Sequence, residues 1–384
     1  MKVQSAIRFA SAPVLLAVLL PACAPGSNAR SDSATGNVAL SPTPQSTSDS
    51  SLRDSMRSPG TLGRATAAME SVLDELATLG GSPIESLSPE QARLQPTPTD
   101  AVNSLLKKKG QSTSPTDLIP GVTSVDRMIP GAVGQMSSRV YTPSGAGPFP
   151  VIVYYHGGGF VIGNKDVYDG GARGLSKLAN AVVVSVDYRL APEHKFPAAH
   201  DDALAAYRWA LINARSIGGD ITRVGLAGES VGGNLAIATA LSARDQKLRL
   251  PSHVIAVYPV AGTDTTTTSY REHANAKPLN RAMMSWFVRH TIKSPADRQD
   301  TRLDLLRADL RGLPPVTIVA AEIDPLRSEG EMLAERLRAA GVDVERRQWD
   351  GAAHEFFGMA AVLDQAKEAQ TFAAERIRKS LSTR

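Results

Sequence analysis

Two runs between residues 149 and 188, "FPVIVYYH" and "AVVVSVDY", are apolar at successive positions rather than at alternate ones. Side chains of a strand point to opposite faces in turn, so a run of this kind has to be covered on both sides. Further strand-like runs stand at "SRVYTP", "RVGLAG", "HVIAVYP", "PVTIVAAE" and "VERRQWDG". Helical stretches fall around 199–214, 231–243, 281–293, 328–340 and 361–381. Strands alternating with helices predict an α/β fold, a mostly parallel central sheet flanked by helices, over residues 121–384. No internal repeat interrupts the alternation.

A helical segment over 61–120 precedes the sheet. "ATAAMESVLDELATLG" places Ala68, Val72, Leu73, Leu76 and Leu79 on one face and stops at Gly80 and Gly81. "SLSPEQARLQ" opens a second helix, with Ser88 as N-cap, Pro89 first and Gln91 third. "DAVNSLLKKKG" reads as another. Residues 24–60 are rich in Ser, Thr, Pro and Gly, with too little apolar surface to offset ordering, and read as a flexible tether.

Residues 1–23 have the form of an export signal: Lys2 and Arg8, then an apolar stretch too short for a permanent span. It ends in "LLPAC", and Cys23 is the only cysteine of the chain, so no intramolecular disulfide can form. "LLPAC" resembles the lipobox of bacterial lipoproteins, although Pro21 is less usual there. The resemblance implies a lipid-modified Cys23 and a membrane tether, in the periplasm or cell envelope. Residues 24 and 25 are not acidic, which leans to the outer membrane. Plain secretion, with cleavage after Ala22 or Ala24, is the alternative.

The 42% apolar and 21% charged shares are those of a globular chain with ample core material. The net charge of +4 is spread thinly, and Lys107 to Lys109 read as a solvated helix end. No aromatic residues interleave with basic ones, so nucleic acid is excluded as a partner.

"HGGGF" at 156–160 follows a strand, where three glycines carry a heavy ordering cost. Such a loop is expected where something must approach bare backbone N–H groups. Gly228-Glu229-Ser230-Val231-Gly232 fits G-x-S-x-G between a strand and the helix "LAIATALSAR". A sharp turn there would lift the serine clear of the chain, at a helix N-terminus that favours negative charge. An acyl-transfer serine needs donors for its oxyanion, expected here from Val231 and the upstream glycine loop. The carboxylate and base should follow in that order. Asp324 stands just past a strand end, and His354 in a loop before the last helix. Glu322 is a rival carboxylate within the strand end. His253 at a strand start and His290 in a helical pattern read as structural.

Together "HGGGF", "DYRLAPE", "GESVGGN", "DPLRSEG" and "HEFFGM" resemble the hormone-sensitive-lipase-like branch of the α/β-hydrolases, the bacterial family IV esterases. The similarity runs from about residue 65 to 381. It implies a helical cap made from the N-terminal segment and an insert at about 262–300, around "NAKPLNRAMMSWFVRH". It also implies hydrolysis of short- to medium-chain acyl esters, a small-molecule substrate, with no metal or organic cofactor. Carried over, Ser230 is the nucleophile, His354 the general base and acid, and Asp324 its orienter. Gly157, Gly158, Gly159 and Val231 build the oxyanion hole. Family members often pair as homodimers through an edge strand, and no motif here decides the point. Two positions depart from the pattern: Val231 replaces alanine, and Glu355 replaces the glycine after the histidine, where it would raise the imidazole pKa if it faces His354. An amidase, lactonase or deacetylase on the same scaffold stays open, as do a polymer-degrading enzyme and a non-catalytic envelope lipoprotein.

Overall fold

Alternate residues of each central strand enter opposite cores, and this arranges everything else in the computed structural model, which describes residues 63–382. The expected export signal, Cys23 and the expected tether over 24–60 lie outside the described residues. Four helices come first: α1 (Ala67–Thr78), α2 (Pro89–Ala92), α3 (Pro98–Lys108) and α4 (Pro115–Leu118). The hairpin β1 (Val122–Pro130) and β2 (Gln135–Pro143) leads into β3 (Phe149–Tyr155), α5 (Asp169–Ala179) and β4 (Val182–Val186). Next come α6 (Ala198–Asn213), β5 (Gly219–Glu229), α7 (Val231–Asp245) and β6 (Val254–Val257). After α8 (Thr268–Glu272) and α9 (Arg281–Thr291) the chain closes with β7 (Val316–Ile323), α10 (Arg327–Ala339), β8 (Val344–Ala353) and α11 (Asp364–Ser382).

The eight strands form one sheet in the order β1-β2-β4-β3-β5-β6-β7-β8. β2 pairs antiparallel with both β1 and β4, and every pair from β4 to β8 is parallel. Val182, Val184 and Val186 enter the core that also holds residues of α6, α7 and α10, whereas Val183 enters the one that holds residues of α5 and α11. All five residues of β4 are buried, which explains its unbroken apolar run.

Three elements differ from the expectation. β1 went unread because only Val122 and Ile129 of its nine residues are buried, as suits an antiparallel edge strand with a wet face. α5 was hidden by Gly170, Gly171 and Gly174, which weaken helical propensity. Each is needed for contact: a Cβ would overlap the Gly358 carbonyl at Gly170, the Glu229 and Tyr154 side chains at Gly171, and Gln370 at Gly174. In α1 the buried residues are Met69, Val72 and Glu75, while Ala68 and Leu79 are exposed. The helix is turned because Glu75 accepts from Ser104 and pairs with Lys108, both on α3. Ser88 caps α2 as its spacing requires, accepting from the Gln91 amide at 3.3 Å while Gln91 accepts from the Ser88 amide at 3.0 Å.

Candidate active site

β5 ends at Glu229 and α7 begins at Val231, leaving Ser230 alone to turn the chain. Its backbone sits at φ 56° and ψ −119°, a region L-residues avoid. The turn persists because its surroundings over-determine it. The Ser230 amide donates to the Val257 carbonyl at 2.9 Å, and its carbonyl accepts from Gly233 at 3.0 Å and Val260 at 3.2 Å. A Cβ at Gly228 would overlap the Gly232 carbonyl, and one at Gly232 the Tyr155 carbonyl. Both flanking glycines of the motif are therefore steric requirements of the turn.

Asp324 and His354 stand just beyond the carboxyl ends of β7 and β8, on the same edge as Ser230. His354 Nδ1 lies 2.8 Å from Asp324 Oδ2, and Asp324 Oδ1 accepts from the Leu326 amide at 2.8 Å. Both side chains are almost fully buried. With Nδ1 donating to the carboxylate, Nε2 is left as the acceptor. Burial works against an imidazolium, but the Asp324 charge and hydrogen bond outweigh it, with help from Glu355 and Glu229, and raise the His354 pKa.

Ser230, His354, Gly158, Gly159 and Val231 line one cavity of about 700 Å³. Other parts of its wall come from α1, through Leu73 and Leu76, and from α9, through Met283 and Phe287. The turned α1 thus directs these two leucines toward the cavity. Gly158 and Gly159 have φ of 93° and 63°, and their amides meet no protein acceptor among the described residues. A Cβ on Gly158 would strike the Ile162 carbonyl, and one on Gly159 the Phe287 ring. Gly157 stands behind them: a Cβ there would meet the Tyr168 ring, and its carbonyl accepts from Tyr188 at 3.3 Å.

Four tyrosines that sequence reasoning passed over hold this arrangement. Tyr188 stacks on His156 with ring centroids 4.3 Å apart and donates to the His156 carbonyl at 2.8 Å, bracing the glycine loop. Tyr154 and Tyr258 both donate to the Glu229 carboxylate beside the nucleophile. Burial and the nearby Glu355 charge push the Glu229 pKa up to about 8, against those two hydrogen bonds. The Tyr258 ring lies 4.5 Å from that of His354. Tyr168 donates to Glu355 Oε1 at 2.8 Å. Only Tyr188 carried a signal, as part of "DYRLAPE"; the others join residues too far apart in sequence to share a spacing.

Glu355 does face His354, with Oε1 at 3.9 Å from Nε2. The rival carboxylate Glu322 accepts instead from the Gly351 amide at 2.7 Å. His253 is fixed between Ser380 and Thr317, each at 2.9 Å, and His290 packs on Trp286. His273 lies 3.3 Å from Arg327, and none of these three histidines lines the cavity.

Residues 152–358 match a family described as having the alpha/beta hydrolase fold. The chain belongs to that family. Carboxylesterase NlhH of Mycobacterium tuberculosis is 39% identical over 279 residues, covering 71% of this chain and 88% of the relative. An ethyl acetate hydrolase of Pseudomonas putida is 34% identical over 249 residues, 63% of this chain and 78% of the relative. Among solved structures, a hyperthermophilic esterase from Pyrobaculum calidifontis superposes with a TM-score of 0.73 at 34% identity, covering 82% of this chain and 98% of that one. These relatives place this α/β-hydrolase in the hormone-sensitive-lipase-like branch.

The contact between Glu355 and His354 sets a sign for pH dependence. A negative charge near Nε2 favours the imidazolium, so Glu355→Gln lowers the imidazole pKa. The acid limb of the kcat/KM profile is then expected to move to lower pH in that variant. A limb that stays in place would show that Glu355 does not act on His354.

Proposed function

We propose that this chain is a serine carboxylesterase in which Ser230, His354 and Asp324 act as the catalytic triad. That it is a carboxylic ester hydrolase of the α/β type follows from its relatives; the assignment of roles to residues is our reading. The observation that carries it is the 2.8 Å bond from Asp324 to His354, which lines the same cavity as the strained Ser230.

Ser230 Oγ attacks the ester carbonyl while His354 Nε2 takes its proton. Asp324 keeps the ring in the tautomer that leaves Nε2 free and stabilises the imidazolium as it forms. The oxyanion rests on amides of the glycine loop and Val231, supported by the N-terminal end of α7. His354 then gives its proton to the leaving alcohol. Water repeats the sequence on the acyl-enzyme, returning acid and free serine. A cavity of about 700 Å³ closed by Leu73, Leu76 and Phe287 suits acyl chains of short to medium length.

Export and a tether through lipid-modified Cys23 complete the proposal, supported by "LLPAC" after an apolar signal-like stretch. Labelled palmitate should enter the full chain expressed in a bacterium and fail to enter Cys23→Ser. Equal labelling of both would remove the lipid anchor from the account.

Hydrolysis of p-nitrophenyl esters from two to sixteen carbons tests the catalytic part. Activity should peak at short or medium chains, and Ser230→Ala should lose on the order of 10⁴- to 10⁶-fold in turnover. A variant that keeps most of its activity would dismiss Ser230 as the nucleophile.

A further inference from the structure

Glu355 is an expensive residue where it stands. Its backbone lies at φ 71°, a left-handed conformation that glycine adopts freely and glutamate does not. Strain of this kind at a cavity wall points to a task for the side chain. The carboxylate is fixed by Tyr168, borders the cavity, and stands on the Nε2 side of His354.

That side is where the leaving group must pass. To protonate a departing alcohol, Nε2 has to come within about 3 Å of the ester oxygen. With Glu355 Oε1 at 3.9 Å from Nε2, the carboxylate is then within roughly 7 Å of that oxygen. A cationic centre two carbons along the alcohol has the reach to turn from that oxygen toward the carboxylate. Two other charges on the wall are already matched: Arg93 is bound bidentately by Glu193 at 2.8 and 2.7 Å, and Asp187 is paired with Lys165 at 2.9 Å. Lys277 is solvent-exposed at the rim, and Glu85, from the cap side, has an Oε2 with no hydrogen-bond partner. Tyr168 and Tyr188 border the same space, and aromatic rings beside a carboxylate are the chemistry that holds a quaternary ammonium.

Building on the triad reading, we propose that Glu355 is a specificity-determining residue that favours esters whose alcohol carries an ammonium group. The same charge opposes anionic leaving groups.

Acetylcholine and 3,3-dimethylbutyl acetate test this, since they share a shape and differ by a positive nitrogen in place of a carbon. The quantity to read is the ratio of their kcat/KM values at pH 8, which cancels any change common to both substrates. It should exceed one in the unmodified chain. In Glu355→Gln, and in Glu355→Gly, whose glycine suits the backbone, it should fall about 10-fold. A ratio at or below one in the unmodified chain, or an equal ratio in the variants, would overturn the inference. p-Nitrophenyl acetate separates the two levels of the argument. If the unmodified chain hydrolyses it but neither member of the pair, the inference fails alone; if it hydrolyses none of the three, the esterase reading fails with it.

Discussion

A left-handed backbone at one non-glycine residue, Ser230, can exist only between rigid neighbours. β5 is hydrogen-bonded on both sides, to β3 and β6, and nearly every residue of the first turns of α7 is buried. This fixes the strand end and the helix start so closely that the connecting residue has no other conformation to take. The same burial places the carboxyl ends of β3, β7 and β8 on the serine's edge of the sheet. The glycine loop and His354, with Asp324 bonded behind it, therefore meet at one cavity from parts of the chain nearly two hundred residues apart. In this sense the site is a consequence of a sheet covered on both faces.

Electrostatics around His354 are less ordinary. Asp324, Glu355 and Glu229 all act to raise the imidazole pKa, and burial opposes them. Glu229, held by two tyrosines, has its own pKa pushed up to about 8 by burial and the Glu355 charge. Burial also raises the Glu355 pKa, while His354 and Tyr168 pull it back. The ring thus sits among three carboxyl groups, one tied to Nδ1 and one facing Nε2.

Legibility in the sequence followed the type of constraint. Motifs were readable where a backbone position excludes side chains, as at Gly228, Gly232 and Gly158, because few residue types satisfy it. Central strands were readable because double burial leaves an unbroken apolar run. α5 was not, since its glycines answer to partners at Gly358, Glu229 and Gln370 that no local pattern reveals. Glu75 misled the reading of α1 for a related reason: its burial depends on Ser104 and Lys108, a helix away. Of the tyrosines bracing the site, Tyr154, Tyr168 and Tyr258 were equally hidden. Tyr168 and Glu355 are 187 residues apart, and only the folded chain shows that they meet.

The central claim is that the turn at residue 230 presents an oxygen activated by His354. An organophosphate such as diethyl p-nitrophenyl phosphate reads this directly, because it phosphorylates only a serine with that activation. Intact mass after treatment should show a single diethylphosphoryl adduct, peptide mapping should place it on Ser230, and His354→Ala should remain unlabelled. An adduct on another residue, or ester hydrolysis that continues with Ser230 fully blocked, would contradict the account.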